Sequence, residues 1–241
     1  LLTGETQAAI DVLPETREVK RYQTSIGAPP VTITLLDTPG YGESGASKAQ
    51  IRQIQQALEA SDAALLVMDA HSPAREADRQ CLSDLREMYT SQPQLKPPPV
   101  IGVLTHVDLL PPPLEWNPPY DWREPEGPKS RSLHDAVAYV SELFGDALVV
   151  TVPVCSDNQT ERTWGLAEEL LPALAEVLED AESVSLLRAY ESQLSRDRWT
   201  NLLKQINRAG RQALRAWVDE RLSHLGNAKS STVYVECRKP S

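Results

Sequence analysis

The run Val31-Thr32-Ile33-Thr34-Leu35-Leu36-Asp37-Thr38-Pro39-Gly40 constrains this chain more than any other. Its first six residues, β-branched or apolar, read as a buried strand, and the acid that follows is met at once by Pro39 and Gly40, which end the strand. A carboxylate at such an exit can hold a divalent cation through water. A glycine three residues on lets a backbone N–H approach a terminal phosphate with no side chain in the way.

The surrounding pattern is that of an α/β chain. Residues 19–26 read as a strand, and Gly27-Ala28-Pro29-Pro30 turns it back onto 31–36 as an antiparallel neighbour. A helix over 46–60 leads to a buried strand over 63–68 that ends in Asp69. A helix over 73–89 follows, with Ser72 as N-cap and Pro73 at its first position. A strand over 100–104 ends in Thr105-His106-Val107-Asp108. A helix over 132–144, stopped by Gly145, precedes a strand over 147–152 that delivers Val154-Cys155-Ser156-Asp157, and a helix over 164–180 closes the unit.

Asp37-Thr38-Pro39-Gly40, then Thr105-His106-Val107-Asp108, then Ser156, each at a strand's carboxyl end, resemble the P-loop GTPase superfamily, in its Era-like, 50S ribosome-binding form. The resemblance implies a three-layer P-loop NTPase-like fold, mostly parallel with one antiparallel edge, a G domain over 1–180 with a helical segment over 181–226, and a loose tail over 227–241. It implies GTP and GDP as ligands with Mg²⁺, and roles for particular residues. Asp37 (through water) and Thr16 hold the metal, Thr16 in a loop that closes over the γ-phosphate. The Gly40 N–H reaches the γ-phosphate across the Thr38-Pro39 turn. Asp108 reads guanine N1–H and the 2-amino group, Thr105 and His106 stand where the family has Asn and Lys, and a backbone N–H at Ser156 meets guanine O6. Gly40 and Thr16 are thus the catalytic candidates. Tyr41 stands where many members carry a water-orienting Gln, which implies slow hydrolysis.

Leu1-Leu2-Thr3-Gly4-Glu5 resembles the end of the helix after the family's phosphate loop, which places that loop before Leu1; Gly-x-x-x-x-Gly-Lys-Ser/Thr occurs nowhere in this sequence. Losing about four charge-assisted bonds at roughly 1.5 kcal/mol each would weaken nucleotide binding on the order of 10⁴-fold. Two rival functions follow. One is a degenerate, nucleotide-independent G domain acting as an interaction module. The other is a dinucleotide enzyme, since Gly40-Tyr41-Gly42-Glu43-Ser44-Gly45 satisfies Gly-x-Gly-x-x-Gly with Asp69 at the next strand end.

Charge divides the chain. The net charge of −10 combines an acidic body with a basic stretch over 196–215 that holds six Lys/Arg and one acid. That stretch, apolar at helical spacing, is expected to lean on the body, on RNA or on an anionic membrane surface. Residues 109–130, with seven prolines around Trp116, Tyr120 and Trp122, could dock a protein partner or pack on their own domain. Three dispersed cysteines argue against a disulfide or zinc scaffold and suit the cytoplasm, with a peripheral membrane position open to the basic segment. No run of apolar residues is long enough to span a bilayer.

Overall fold

The computed structural model describes residues 18–26, 31–39, 48–157, 162–191, 194–209 and 212–227. Expectations on Thr16, Gly40, Tyr41, residues 42–45 and the tail from 228 on lie outside the described residues.

The chain is a mixed α/β protein consistent with a P-loop NTPase-like fold. β1 (Lys20–Ile26) and β2 (Val31–Asp37) form an antiparallel hairpin with Lys20 opposite Asp37. Thr32 and Thr34 face solvent while Ile33 and Leu35 are half-buried, the period-two pattern of a one-sided strand. Across the exposed face, Gln23 Nε2 donates to Thr34 Oγ1 at 3.1 Å, and the Ser25 and Thr32 hydroxyls meet at 3.2 Å.

The second sheet is parallel, in the order β3 (Ala64–Asp69), β4 (Val100–Thr105), β5 (Val150–Pro153). Helices α2 (Glu76–Ser91) and α3 (Pro128–Phe144) supply the crossovers that parallel neighbours require. Central β4 is the most buried strand, with Ile101 and Leu104 at 0% exposure. The sequence led us to expect one continuous sheet. Instead, β2 pairs with β1 alone and β3 with β4 alone among the described residues, so each keeps one edge without a ladder partner. The hairpin is braced instead by α5 (Asp180–Glu191), which lies against β2. Along the chain between β2 and β3, residues Lys48–Glu59 form α1.

Several boundaries move for identifiable reasons. Helix α2 starts at Glu76, not at 73, and neither Ser72 nor Arg75 caps it with a side chain. The Asp69 carboxylate accepts the His71 N–H at 2.8 Å and Arg75 bonds back to the Asp69 carbonyl, so the chain is held in a turn through Pro73. Helix α3 starts earlier than expected, because extended Gly127 precedes Pro128 at the first helical turn. After Gly145 (φ +52°) the chain makes a short 3₁₀ turn, Gly145–Ala147, which delays β5 to Val150. Trp164 is not helical. β6 (Cys155–Asp157) and β7 (Arg162–Trp164) form a small antiparallel hairpin, and only after Gly165 does the chain coil, first as a π-type turn (Leu166–Leu170) and then as α4 (Leu171–Val177).

Helix α4 is a shared wall. Ala173, with Leu170 just before it, packs with Ile101, Val103, Val152 and Val154 of the parallel sheet. Leu171 and Ala175 pack with Leu187 of α5, with Trp199, Leu202, Leu203 and Ile206 of α6 (Arg196–Ala209), and with Leu214 and Val218 of α7 (Gln212–Asn227). The apolar periodicity read at the C-terminus is therefore an internal packing stripe. No described helix is long and apolar enough to cross a membrane.

Gly165 is the joint between β7 and this wall. Its φ of +89° is left-handed, and a Cβ there would lie 2.3 Å from the Pro153 carbonyl oxygen. Gly165→Ala must strain both, and we expect it to lower stability by about 2 kcal/mol or more, read as an earlier urea midpoint at unchanged slope.

Candidate functional site

The carboxyl edge of the parallel sheet gathers the chemistry. In-register pairing sets Asp69 beside Thr105, and Leu104 beside Pro153. The ladder continues past β5, where Val154 N–H donates to the Leu104 carbonyl at 2.8 Å. Thr105 and Val154 therefore leave the sheet side by side, with Cys155 the next residue on that strand. The Thr105 hydroxyl donates to the Met68 carbonyl at 3.1 Å, tying the exit of β4 to β3. His106 then takes a left-handed conformation (φ +54°, ψ +31°), and Val107–Leu109 winds into a single 3₁₀ turn. The imidazole is exposed. Its Nδ1 lies 3.1 Å from Thr105 Oγ1 and 3.9 Å from Asp69 Oδ1.

Asp108 is placed inward by that turn, 5% exposed. Two neighbours address its carboxylate. The Cys155 thiol donates to Oδ1 at 3.4 Å, and Arg162 Nη1 lies 3.4 Å from Oδ2. The same thiol lies 2.9 Å from the Arg162 carbonyl. Its acidity is suppressed to a pKa of about 11, chiefly by burial and further by the Asp108 charge, so at neutral pH it is a neutral donor. Below the carboxylate, the fully buried Lys129 Nζ donates at 2.6 Å to the carbonyls of both Asp108 and Leu110. Burial pulls its pKa below the ordinary lysine value, and nearby Asp108 opposes that shift.

Residues 109–130 pack on their own domain. Trp122 is buried in the main core, while Trp116 and Tyr120 pack against it. Tyr120 meets both Trp116 and Trp164 edge-on, with ring centres 5.8 and 5.6 Å apart. Arg123 sits 4.2 Å over the Trp122 ring and pairs with buried Glu169 at 2.8 Å. The aromatics that suggested a docking surface thus face inward, and Leu109 and Leu114, 46% and 92% exposed, are the large apolar residues of this stretch left outside.

Of the residues singled out by sequence, Thr105, His106 and Asp108 come together, with Ser156 one residue beyond the thiol that touches Asp108. Asp37 and Thr38, with buried Pro39, lie at the end of β2, in the other sheet. Their oxygen donors suit Mg²⁺. Three partners of Asp108 were not foreseen, namely Cys155, Arg162 and Lys129. A cysteine adjacent to Ser156 was a weak hint; a lone Lys after Gly-Pro and an Arg in a polar stretch carry no periodic signal.

Cys81 is, like Cys155, a buried thiol raised to about 11, by desolvation first and by Asp78 and Asp84 second. Unfolded thiols ionise near 9.0, so between about pH 9 and 11 the unfolded chain loses protons that the folded one keeps. Stability supplied by these groups is complete below pH 9 and should fall as pH rises to 11. Replacing both by alanine should flatten that slope in urea melts run from pH 8 to 11.

Residues 1–105 match the family model described as 50S ribosome-binding GTPase. The match covers less than half of the chain and stops at Thr105, where β4 leaves the sheet. It supports a GTPase-type G domain, and with it guanine-nucleotide binding. No curated protein matches the chain.

Proposed function

We propose that this chain is the nucleotide-binding part of a GTPase switch that binds GTP and GDP with Mg²⁺ and hydrolyses GTP. The observation that carries this reading is the joining of two family elements at one sheet edge: the Thr105–Asp108 turn and the Cys155–Ser156 strand leave neighbouring parallel strands and meet at the Asp108 carboxylate. Ligands of open α/β sheets bind at that edge.

The roles follow from chemistry. Asp37 offers a hard oxygen for Mg²⁺ through water, with Thr16 as the second metal ligand and the Gly40 N–H on the γ-phosphate; when bound, the metal neutralises phosphate charge. Thr105 anchors the base-reading turn to β3, His106 lies flat along the base from its exposed position, Asp108 accepts from N1–H and the 2-amino group, and the Ser156 N–H donates to O6. In this reading a strand bearing Gly-x-x-x-x-Gly-Lys-Ser/Thr joins the hairpin to the parallel sheet along the edges of β2 and β3 that no other described strand pairs. Val67, 59% exposed in an apolar strand, is the kind of residue such a neighbour would cover. Residues 1–180 form the G domain and 181–226 its helical brace, and the Era-like subgroup and a cytoplasmic site are part of the same proposal.

One observation favours the second reading, a nucleotide-independent interaction module. The Asp108 side chain is only 7% exposed, and its oxygens already meet donors of this chain. The dinucleotide alternative needs β2 and β3 as parallel neighbours, whereas β2 pairs antiparallel with β1.

Base swapping separates the readings. Asparagine offers one acceptor and one donor where Asp108 offers two acceptors, and xanthine offers the matching N1–H and O2. Asp108→Asn should weaken GDP binding about 10-fold or more and improve binding of xanthosine diphosphate, both measured by calorimetry on the full-length protein. Equal binding of the two nucleotides by wild type and variant would remove the base-reading role and leave the interaction module.

A further inference from the structure

We propose that Arg162 is a second base-reading residue, whose guanidinium donates to guanine O6 while Asp108 accepts from N1–H and the 2-amino group. This rests on the guanine reading above and adds a specificity determinant to it.

The pairing edge of guanine presents two donors and then one acceptor: the 2-amino group, N1–H and O6. A carboxylate answers the two donors. Complete recognition needs a donor beside that carboxylate, and the described residues place two there. The Cys155 thiol is 1% exposed and already faces the Arg162 carbonyl at 2.9 Å, so it points inward and supports Asp108 from behind. Arg162 is the outward member. Its side chain is 28% exposed against 7% for Asp108, so a base approaching from solvent meets the guanidinium first.

The contact is also of the right kind. At 3.4 Å the Arg162 Nη1–Asp108 Oδ2 distance is longer than the usual 2.7–2.9 Å of a tight charge-assisted bond. Arg162 is therefore held near the carboxylate without being consumed by it, and among the described residues only one of its five N–H donors is engaged. Its backbone is set by the ladder that puts Arg162 opposite Asp157, with the Cys155 sulfur 2.9 Å from its carbonyl. Cys155 thus touches both readers and sets their separation. O6 has two lone pairs, so a guanidinium can share it with the backbone N–H proposed at Ser156.

Adenine reverses the pattern. Its 6-amino donor would face the guanidinium, and its unprotonated N1 would face the carboxylate. Each residue then rejects adenine by a like-with-like contact, which discriminates more than a missing bond does. Hypoxanthine keeps O6 and N1–H and lacks the 2-amino group, so it tells the two readers apart.

The test is competitive binding of GDP, IDP and ADP to the full-length protein, with Arg162→Met, Arg162→Gln and Asp108→Ala. We expect Arg162→Met to weaken GDP and IDP by the same factor, about 10-fold or more, with ADP bound no more weakly. Arg162→Gln keeps one amide donor and should fall between wild type and Arg162→Met. Asp108→Ala should weaken GDP more than IDP. If Arg162→Met binds GDP as well as wild type or more tightly, Arg162 only occupies the carboxylate and the inference is wrong while base reading by Asp108 stands. If wild type shows no preference for GDP over ADP, or Asp108→Ala leaves GDP binding unchanged, the guanine reading itself fails and takes this inference with it.

Discussion

A lysine side chain held in the interior organises the candidate site. Lys129 is 0% exposed, and its Nζ is satisfied by the carbonyls of Asp108 and Leu110, with the Trp116 ring 5.9 Å away. Removing an ammonium from water costs several kcal/mol unless its donors are answered. Here they are answered by main-chain oxygens that a 3₁₀ turn leaves pointing inward. The bond closes the 109–130 insertion on itself, since Lys129 stands at its far end and the carbonyls at its near end. It also fixes where α3 begins, because Pro128 and Lys129 lie in its first turn. The turn that carries Asp108 is thereby shaped by residues about twenty positions downstream, and the proline-rich excursion becomes part of the Asp108 edge.

The same economy joins the body to its C-terminal helices. Helix α4 gives one side to the parallel sheet and the other to α5, α6 and α7. A strain at Gly165 would therefore reach both cores, and also Arg162, three residues earlier on β7. Glu168 and Glu169, in the π-type turn between them, hold Arg198 of α6 and Arg123 of the insertion respectively. The Asp108 edge, the insertion and the helical segment thus meet around a few residues on either side of one glycine.

How much of this was legible depends on range. Strand exits with their acids could be read because alternating or continuous apolar runs, Pro and Gly are local signals: β2, β3 and β4 begin and end within a residue or two of expectation. One helix start moved because a nearby side-chain bond overrode a local cap. Ser72 is an adequate N-cap by type, yet Arg75 binding the Asp69 carbonyl delays α2. Trp164 looked helical because the apolar spacing after it is helical, but antiparallel pairing with Cys155 claimed it for a strand. The partners of Asp108 were invisible for a different reason, distance along the chain: Arg162 and Lys129 act across 54 and 21 residues, and no spacing rule connects them.

The basic stretch shows how charge and packing must be read together. By sequence, α6 could lie on a membrane through its apolar stripe, with its cations toward lipid headgroups. In the structure that stripe is spent: Trp199, Leu202, Leu203 and Ile206 are 0–3% exposed against α4, α5 and α7. What α6 turns outward is polar, including Asn201, Lys204 and Gln205, and Arg198 is engaged by Glu168 of the body. Exposed pairs of this kind add about 1 kcal/mol or less each, so they do not hold the segment in place. The apolar stripe does that.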